Sequence, residues 1–225
     1  MFLSLLLSIL VFPSHFTAKE PLECAQCANT THKNCKPTLS KCNSKEDACI
    51  SYFEKTTIGV KETTVFMRLC GTCDKYKPSA VRFHKGTVKS NSTCCNSTNC
   101  TPPIPTIAPD KPAAKDVKFK GNNVTCKSCY ATTKSCDCNL FVECTGEERK
   151  CIHRFTTLTG GPGYTVAVRG CASAEMCEDR SFKSDFLTYK VVSDYTCTDG
   201  SDILRRYSSF LFLPIAFLCL SVPTM

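Results

Sequence analysis

The sequence predicts an all-β protein built from two small, disulfide-stabilised modules, and three observations lead there. Cysteine makes up 20 of 225 residues, about 9%. That is the density of a disulfide scaffold, and it argues against a cytosolic enzyme whose thiols are kept reduced. The cysteines fall into two runs of similar spacing, and strand-like segments inside each run flank turn residues while no interior segment carries a 3.6-residue apolar period. Gly (10) and Pro (12) are too few for a collagen-like or disordered chain.

The two ends differ from the interior. Met1–Pro13 is an apolar run too short to span a bilayer, and Ala18 precedes Lys19, so residues 1–18 read as a secretory signal peptide. Near the other end, the small triplet Asp199-Gly200-Ser201 is followed by a polar spacer, Asp202–Ser209, and an apolar run, Phe210–Val222. These are the three parts of a glycosylphosphatidylinositol-anchor signal. Asp199 is the expected lipidation residue and residues 200–225, with Cys219, the removed propeptide. The expected location is the secretory pathway and then the cell surface, on the outer leaflet of the plasma membrane, with a released extracellular form also allowed.

An internal duplication sets the domain count. The first run is Cys24, Cys27, Cys35, Cys42, Cys49, Cys70, Cys73, Cys94, Cys95 and Cys100; the second is Cys126, Cys129, Cys136, Cys138, Cys144, Cys151, Cys171, Cys177 and Cys197. Cys49 to Cys70 spans 21 positions and Cys151 to Cys171 spans 20; Cys73 to Cys94 and Cys177 to Cys197 repeat those two gaps. The predicted domains are 19–101 and 123–199. Between them, in 102–122, Thr101–Pro112 holds five prolines in twelve residues, a semi-rigid spacer. In each module the first long gap reads as a β-hairpin. Cys49–Glu54 and Thr64–Leu69 flank Gly59; Ile152–Thr156 and Tyr164–Arg169 flank Gly160-Gly161-Pro162-Gly163.

Leu22-Glu23-Cys24-x-x-Cys27, the two evenly spaced hairpins and the ending Cys94-Cys95-Asn96-Ser97-Thr98-Asn99-Cys100 resemble the three-finger (snake-toxin-like) domain of the lymphocyte-antigen-6/urokinase-receptor family. Module one matches the full ten-cysteine pattern, except that Thr101 stands where an Asn is usual. Module two ends at Tyr195-Thr196-Cys197-Thr198-Asp199 without the Cys-Cys pair. In this it resembles the shortened domain of two-domain members such as gamma-type phospholipase inhibitors and sodefrin-precursor-like proteins. The resemblance implies Cys24–Cys49, Cys27–Cys35, Cys42–Cys70, Cys73–Cys94 and Cys95–Cys100 in module one. In module two it implies Cys126–Cys151, Cys129–Cys136 (or Cys138), Cys144–Cys171 and Cys177–Cys197, leaving Cys136 or Cys138 unpaired.

No catalytic, cofactor or metal site is expected. The C-x-x-C pairs read as disulfides rather than zinc ligands in an oxidising compartment. His32, His84 and His153 sit in no hydrolytic motif, and there is no G-x-S-x-G elbow or Walker loop. Asn29, Asn91, Asn96 and Asn123 open glycosylation sequons, and Asn91 and Asn96 lie too near one disulfide knot for both to be occupied. Residues 19–101 hold 13 basic and 7 acidic side chains against 9 and 10 in residues 123–199. In the first module's third finger, Lys75, Lys77, Arg82, Lys85 and Lys89 surround Tyr76, Phe83 and His84. That segment reads either as a basic surface for an acidic partner or as a solvated face. The expected partner is an extracellular protein and not a nucleic acid, met at the tips Lys55–Glu62, Tyr76–Lys89 and Thr159–Tyr164. The leading expectation is a non-enzymatic, anchored binding or receptor protein. The alternatives are an inhibitor of secreted phospholipases or other enzymes, and a soluble pheromone-like or toxin-like ligand.

Overall fold

The computed structural model describes residues 20–108, 121–137, 139–161, 163–178 and 181–200. Residues 1–19, where the signal peptide is expected, the end of the proline-rich segment, Cys138 and the chain beyond Gly200 lie outside them. Strands are the dominant regular structure of the described residues, beside two single 3-10 turns, and they are arranged as two three-finger domains. Module one comprises β1 (Glu23–Asn29), β2 (Thr38–Lys41), β3 (Ala48–Ile58), β4 (Lys61–Gly71), β5 (Ser79–Phe83) and β6 (Gly86–Cys95). Module two comprises β7 (Gly121–Lys127), β8 (Cys129–Ala131), β9 (Phe141–Thr145), β10 (Lys150–Thr159), β11 (Tyr164–Ala172), β12 (Phe182–Phe186) and β13 (Tyr189–Asp199).

The duplication is visible in the registers. β3 lies between β4 and β6 with Cys49 opposite both Cys70 and Cys95. β10 lies between β11 and β13 with Cys151 opposite Cys171 and Thr198. Thr198 therefore occupies the place of Cys95, which is where the shortened pattern of module two takes effect. Turn chemistry sets the hairpins: Ile58 pairs with Lys61 across the two-residue loop Gly59-Val60, and Gly59 takes φ 58°, a left-handed conformation that costs a glycine little.

Nine disulfides cross-link the described residues: Cys24–Cys49, Cys27–Cys35, Cys42–Cys70, Cys73–Cys94, Cys95–Cys100, Cys126–Cys151, Cys129–Cys136, Cys144–Cys171 and Cys177–Cys197. Two cystine clusters form the knots of the modules, one around Cys24, Cys42, Cys49 and Cys70, the other around Cys126, Cys144 and Cys171.

The modules are not beads on a spacer. β5 of the first pairs with β11 of the second, Val81 with Ala172 and Arg82 with Cys171, which merges both into one eleven-stranded sheet. The junction requires Gly170, because a Cβ there would stand 2.0 Å from the Arg82 carbonyl oxygen. Both remaining apolar cores are shared. One joins Ile50, Tyr52, Val65, Met67 and Leu69 to Leu158, Phe186 and Val191; the other joins Val81, Phe83 and Val88 to Ile152, Val168 and Met176.

The start of the proline-rich segment also differs from a free spacer. Its carbonyls accept hydrogen bonds from module one: Pro102 from Ser51 Oγ (3.0 Å), Pro103 from Thr93 Oγ1, and Thr106 from Asn91 Nδ2 (2.7 Å). Ser51, Thr93 and Asn91 share one face of β3 and β6, because Ser51 opposes Thr93 and Phe53 opposes Asn91. Proline carbonyls accept normally although the nitrogen has no proton to donate, so such a segment docks through its oxygens.

Candidate functional site

Three segments are candidates for partner contact, and the fold treats them differently. Lys55–Glu62 forms the end of the β3–β4 hairpin. Val60 is fully exposed there at 102%, and Lys55 and Glu62 form an ion pair at 2.5 Å. This tip faces solvent. The Tyr76–Lys89 finger, by contrast, meets the second module through Val81–His84, while Lys77, Pro78, Ala80 and Lys85 stay exposed. Phe83 is buried and stacks on Tyr130 with ring centroids 5.4 Å apart. Arg82 donates to both carboxylate oxygens of Glu148, at 3.0 Å from Nε and 2.6 Å from Nη2. Of the basic residues in this finger, Arg82 thus has its acidic partner in the same chain, while Lys77 and Lys85 stay exposed. In Thr159–Tyr164, Gly160 and Gly161 are exposed, but Tyr164 turns back onto module one.

Where Tyr164 turns back, a polar cluster lies inside the seam. The β3 positions Tyr52, Glu54 and Thr56 and the β10 positions Arg154 and Thr156 are all buried. Arg154 donates through Nη2 to Glu54 Oε2 and through Nε to Thr156 Oγ1 at 3.0 Å. Glu54 also accepts from Tyr52 Oη at 2.6 Å and from Tyr164 Oη at 2.8 Å. The Tyr195 ring lies 5.6 Å from the Arg154 guanidinium. Every member has a partner, which a buried charge pair requires if it is not to cost stability. Burial and then the Glu54 charge push the Tyr52 and Tyr164 hydroxyls well above their ordinary range, so both stay donors. Burial opposes the charge on Arg154, but Glu54, followed by Tyr195, Tyr52 and Tyr164, outweighs it and holds the guanidinium protonated.

Sequence reasoning missed this cluster, yet a signal exists. Aligned on Cys49 and Cys151, Tyr52 matches Arg154 and Glu54 matches Thr156, so opposite charges sit on the core-facing side of equivalent strands. A lone Arg among Ile152, Thr156 and Leu158 at period two marks a paired interior charge.

The sequons are placed as follows. Asn96 and Asn123 are exposed; Asn29 and Asn91 are half-buried. Asn29 Nδ2 donates to the Asn34 carbonyl at 3.0 Å, and Asn91 Nδ2 holds the proline-rich segment. Asp199 ends β13 with its carboxylate exposed and paired with Lys150 Nζ at 2.5 Å. Cys129 is bonded to Cys136, and Cys138, the other candidate for that bond, lies outside the described residues. No helix among the described residues is long and apolar enough to cross a membrane.

Double three-finger architecture, knotted bases and outward tips define a class of strand-built, cystine-rich modules. The u-PAR/Ly-6 domain matches residues 20–103 and again 122–203, and the chain belongs to that family. It is similar to a phospholipase A2 inhibitor of the gamma type from Laticauda semifasciata, 26% identical over 79% of this chain and 96% of that protein. It is also similar to phospholipase A2 inhibitor NAI of Notechis ater, 25% identical over 79% of this chain and 86% of that protein. The urokinase plasminogen activator surface receptor of Mus musculus is 26% identical over 80% of this chain but only 54% of the receptor, so the chain spans about half of it.

Proposed function

We propose that this chain is a non-catalytic binding protein, held on the outer surface of the plasma membrane by a glycosylphosphatidylinositol anchor at Asp199, that engages an extracellular protein through the β3–β4 tip. The observation that carries this reading is the contrast between a sealed seam and a free tip. The inner faces of both modules are used on each other, while Val60 stands wholly in solvent beside Lys61. A fully exposed valine on a two-residue turn between cross-linked strands offers apolar contact at small entropic cost. The position of Asp199, exposed at the end of the last strand, supports attachment there. Affinity capture with the cell-surface protein tests the tip. Val60→Ala and Lys61→Ala are expected to weaken capture of the partner, and unchanged capture by both rejects the tip. Phosphatidylinositol-specific phospholipase C is expected to release the protein from cells, and full retention rejects the anchor.

A second reading, inhibition of a secreted phospholipase A2, is favoured by the names of two relatives that align over most of their length with this chain. Inhibition of that activity by the purified protein separates the two readings. Among the sequons, exposure supports glycans on Asn96 and Asn123, and the bond from Asn91 to Thr106 supports an unmodified Asn91. Mass spectrometry of the mature protein is the check.

A further inference from the structure

The repeat is unequal at one face, and that inequality opens a cavity. In module one, the loop closed by Cys95–Cys100 and the segment after it cover the face of β1, β3 and β6: Asn99 N–H donates to the Glu23 carbonyl (2.9 Å) and Ser51 Oγ to the Pro102 carbonyl. Module two has Thr198 in place of Cys95 and no counterpart of that bridge. At the equivalent face lies a cavity of about 310 Å³ whose lining includes Thr125, Lys127, His153, Arg169, Thr196 and Thr198.

The polar members of this lining have one chemistry in common, although apolar atoms, those of Cys151 and Ile152 among them, make up most of its surface. His153 stands directly opposite both Arg169 and Thr196 in the sheet, and Lys127 comes from β7. Three nitrogen bases and three threonine hydroxyls offer hydrogen-bond donors around one space. Asp199 is the acidic member of the lining, and it is paired with Lys150 at 2.5 Å. Asp137 touches Arg169 Nη1 at 3.2 Å from a side chain 90% exposed, a screened contact of small worth. A second observation points the same way: among the described residues, His153 Nε2 and Arg169 Nε are buried with no hydrogen-bond partner. Buried polar atoms are rarely left so.

We propose that this cavity binds a tetrahedral oxyanion, the phosphate group of a ligand. Arg169 and Lys127 supply charge, the threonines supply hydroxyl donors, and His153 becomes a further donor on protonation. Burial and then Arg169 hold the His153 imidazole below its ordinary range; a bound anion opposes both effects and favours the imidazolium. The phosphate comes either from solution or from a lipid headgroup, since the cavity adjoins Asp199, the proposed anchor residue. The headgroup source rests on the anchor reading; the site does not.

Equilibrium binding of labelled inorganic phosphate to the purified mature protein tests it. Saturable binding of one ion per chain is expected, weakened by ~10-fold or more (about 1.4 kcal/mol) in Arg169→Gln and in Lys127→Gln and unchanged in Lys61→Gln at the hairpin tip. Sulfate keeps its charge from about pH 7.5 to about pH 5.5, so its binding is expected to tighten over that range and to lose this dependence in His153→Gln. Lys127 is exposed, so its variant stays interpretable if Arg169→Gln misfolds. Absence of saturable binding at millimolar phosphate, or equal loss in Lys61→Gln, overturns the site. Displacement of phosphate by phosphatidylinositol vesicles, but not by phosphatidylcholine alone, assigns the headgroup as source. No displacement by either assigns the free ion, and the site stands independently of the anchor.

Discussion

Arg154 and Glu54 carry the sharpest consequences at the level of single residues. Truncating Arg154 to alanine leaves the Glu54 carboxylate buried with two tyrosine hydroxyls and no cation. A loss of about 3–5 kcal/mol is expected in urea unfolding with the disulfides intact. Replacing both partners, Arg154→Met with Glu54→Leu, is expected to recover part of that loss, because two desolvated charges disappear together while the Tyr52 and Tyr164 hydroxyls lose their acceptor. A loss in the double variant as large as in the single one would show that the charges themselves stabilise the seam. Titration of His153 gives a second residue-level expectation. Its folded-state pKa is lowered, so near pH 6 the unfolded chain binds more protons than the folded one. Stability is therefore fully present above the unfolded value of about 6.5 and declines as pH falls below it. His153→Gln is expected to flatten that part of the profile in thermal unfolding measured without added phosphate.

Among the elements, the two glycines at turn and junction separate local strain from a lost interface. At Gly59 an added Cβ meets nothing within 4 Å, and Gly59→Ala is expected to cost only the left-handed conformation, roughly 1–2 kcal/mol. Gly170→Ala places its methyl group against the backbone of β5, so the strands must part and the larger loss is expected there, accompanied by increased hydrogen exchange in β5. Much at this scale was legible from residues alone. The spacing of Cys49, Cys70, Cys151 and Cys171 marks the duplicated hairpins, and Gly59 marks a turn. The joining of β5 to β11 was not legible. Val81-Arg82-Phe83 carries the alternation of any hairpin strand, and nothing local says whether Phe83 meets its own module or the other. The docking of Pro102–Thr106 was hidden for a related reason: proline content restricts conformation but does not say which hydroxyl or amide a carbonyl will meet.

For the molecule as a whole, the shared cores predict one cooperative unit. Calorimetry with disulfides intact is expected to give a single transition whose calorimetric and van't Hoff enthalpies agree, rather than two successive ones. Leu158→Ala, in module two but packed in a core with Val65 and Met67 of module one, is expected to cost about 2–5 kcal/mol. It should lower the protection of amides in both modules; loss confined to module two would show independent folding. Geometry follows from the same seam. The relative position of the β3–β4 and β10–β11 tips is set by β5 against β11 and by Arg154 against Glu54, not by the number of residues joining the modules. A partner grasping both tips therefore meets two contacts at a fixed spacing, as a ruler presents two marks. Its second contact forms at an effective concentration that changing the connector length leaves untouched, whereas parting the seam lowers it.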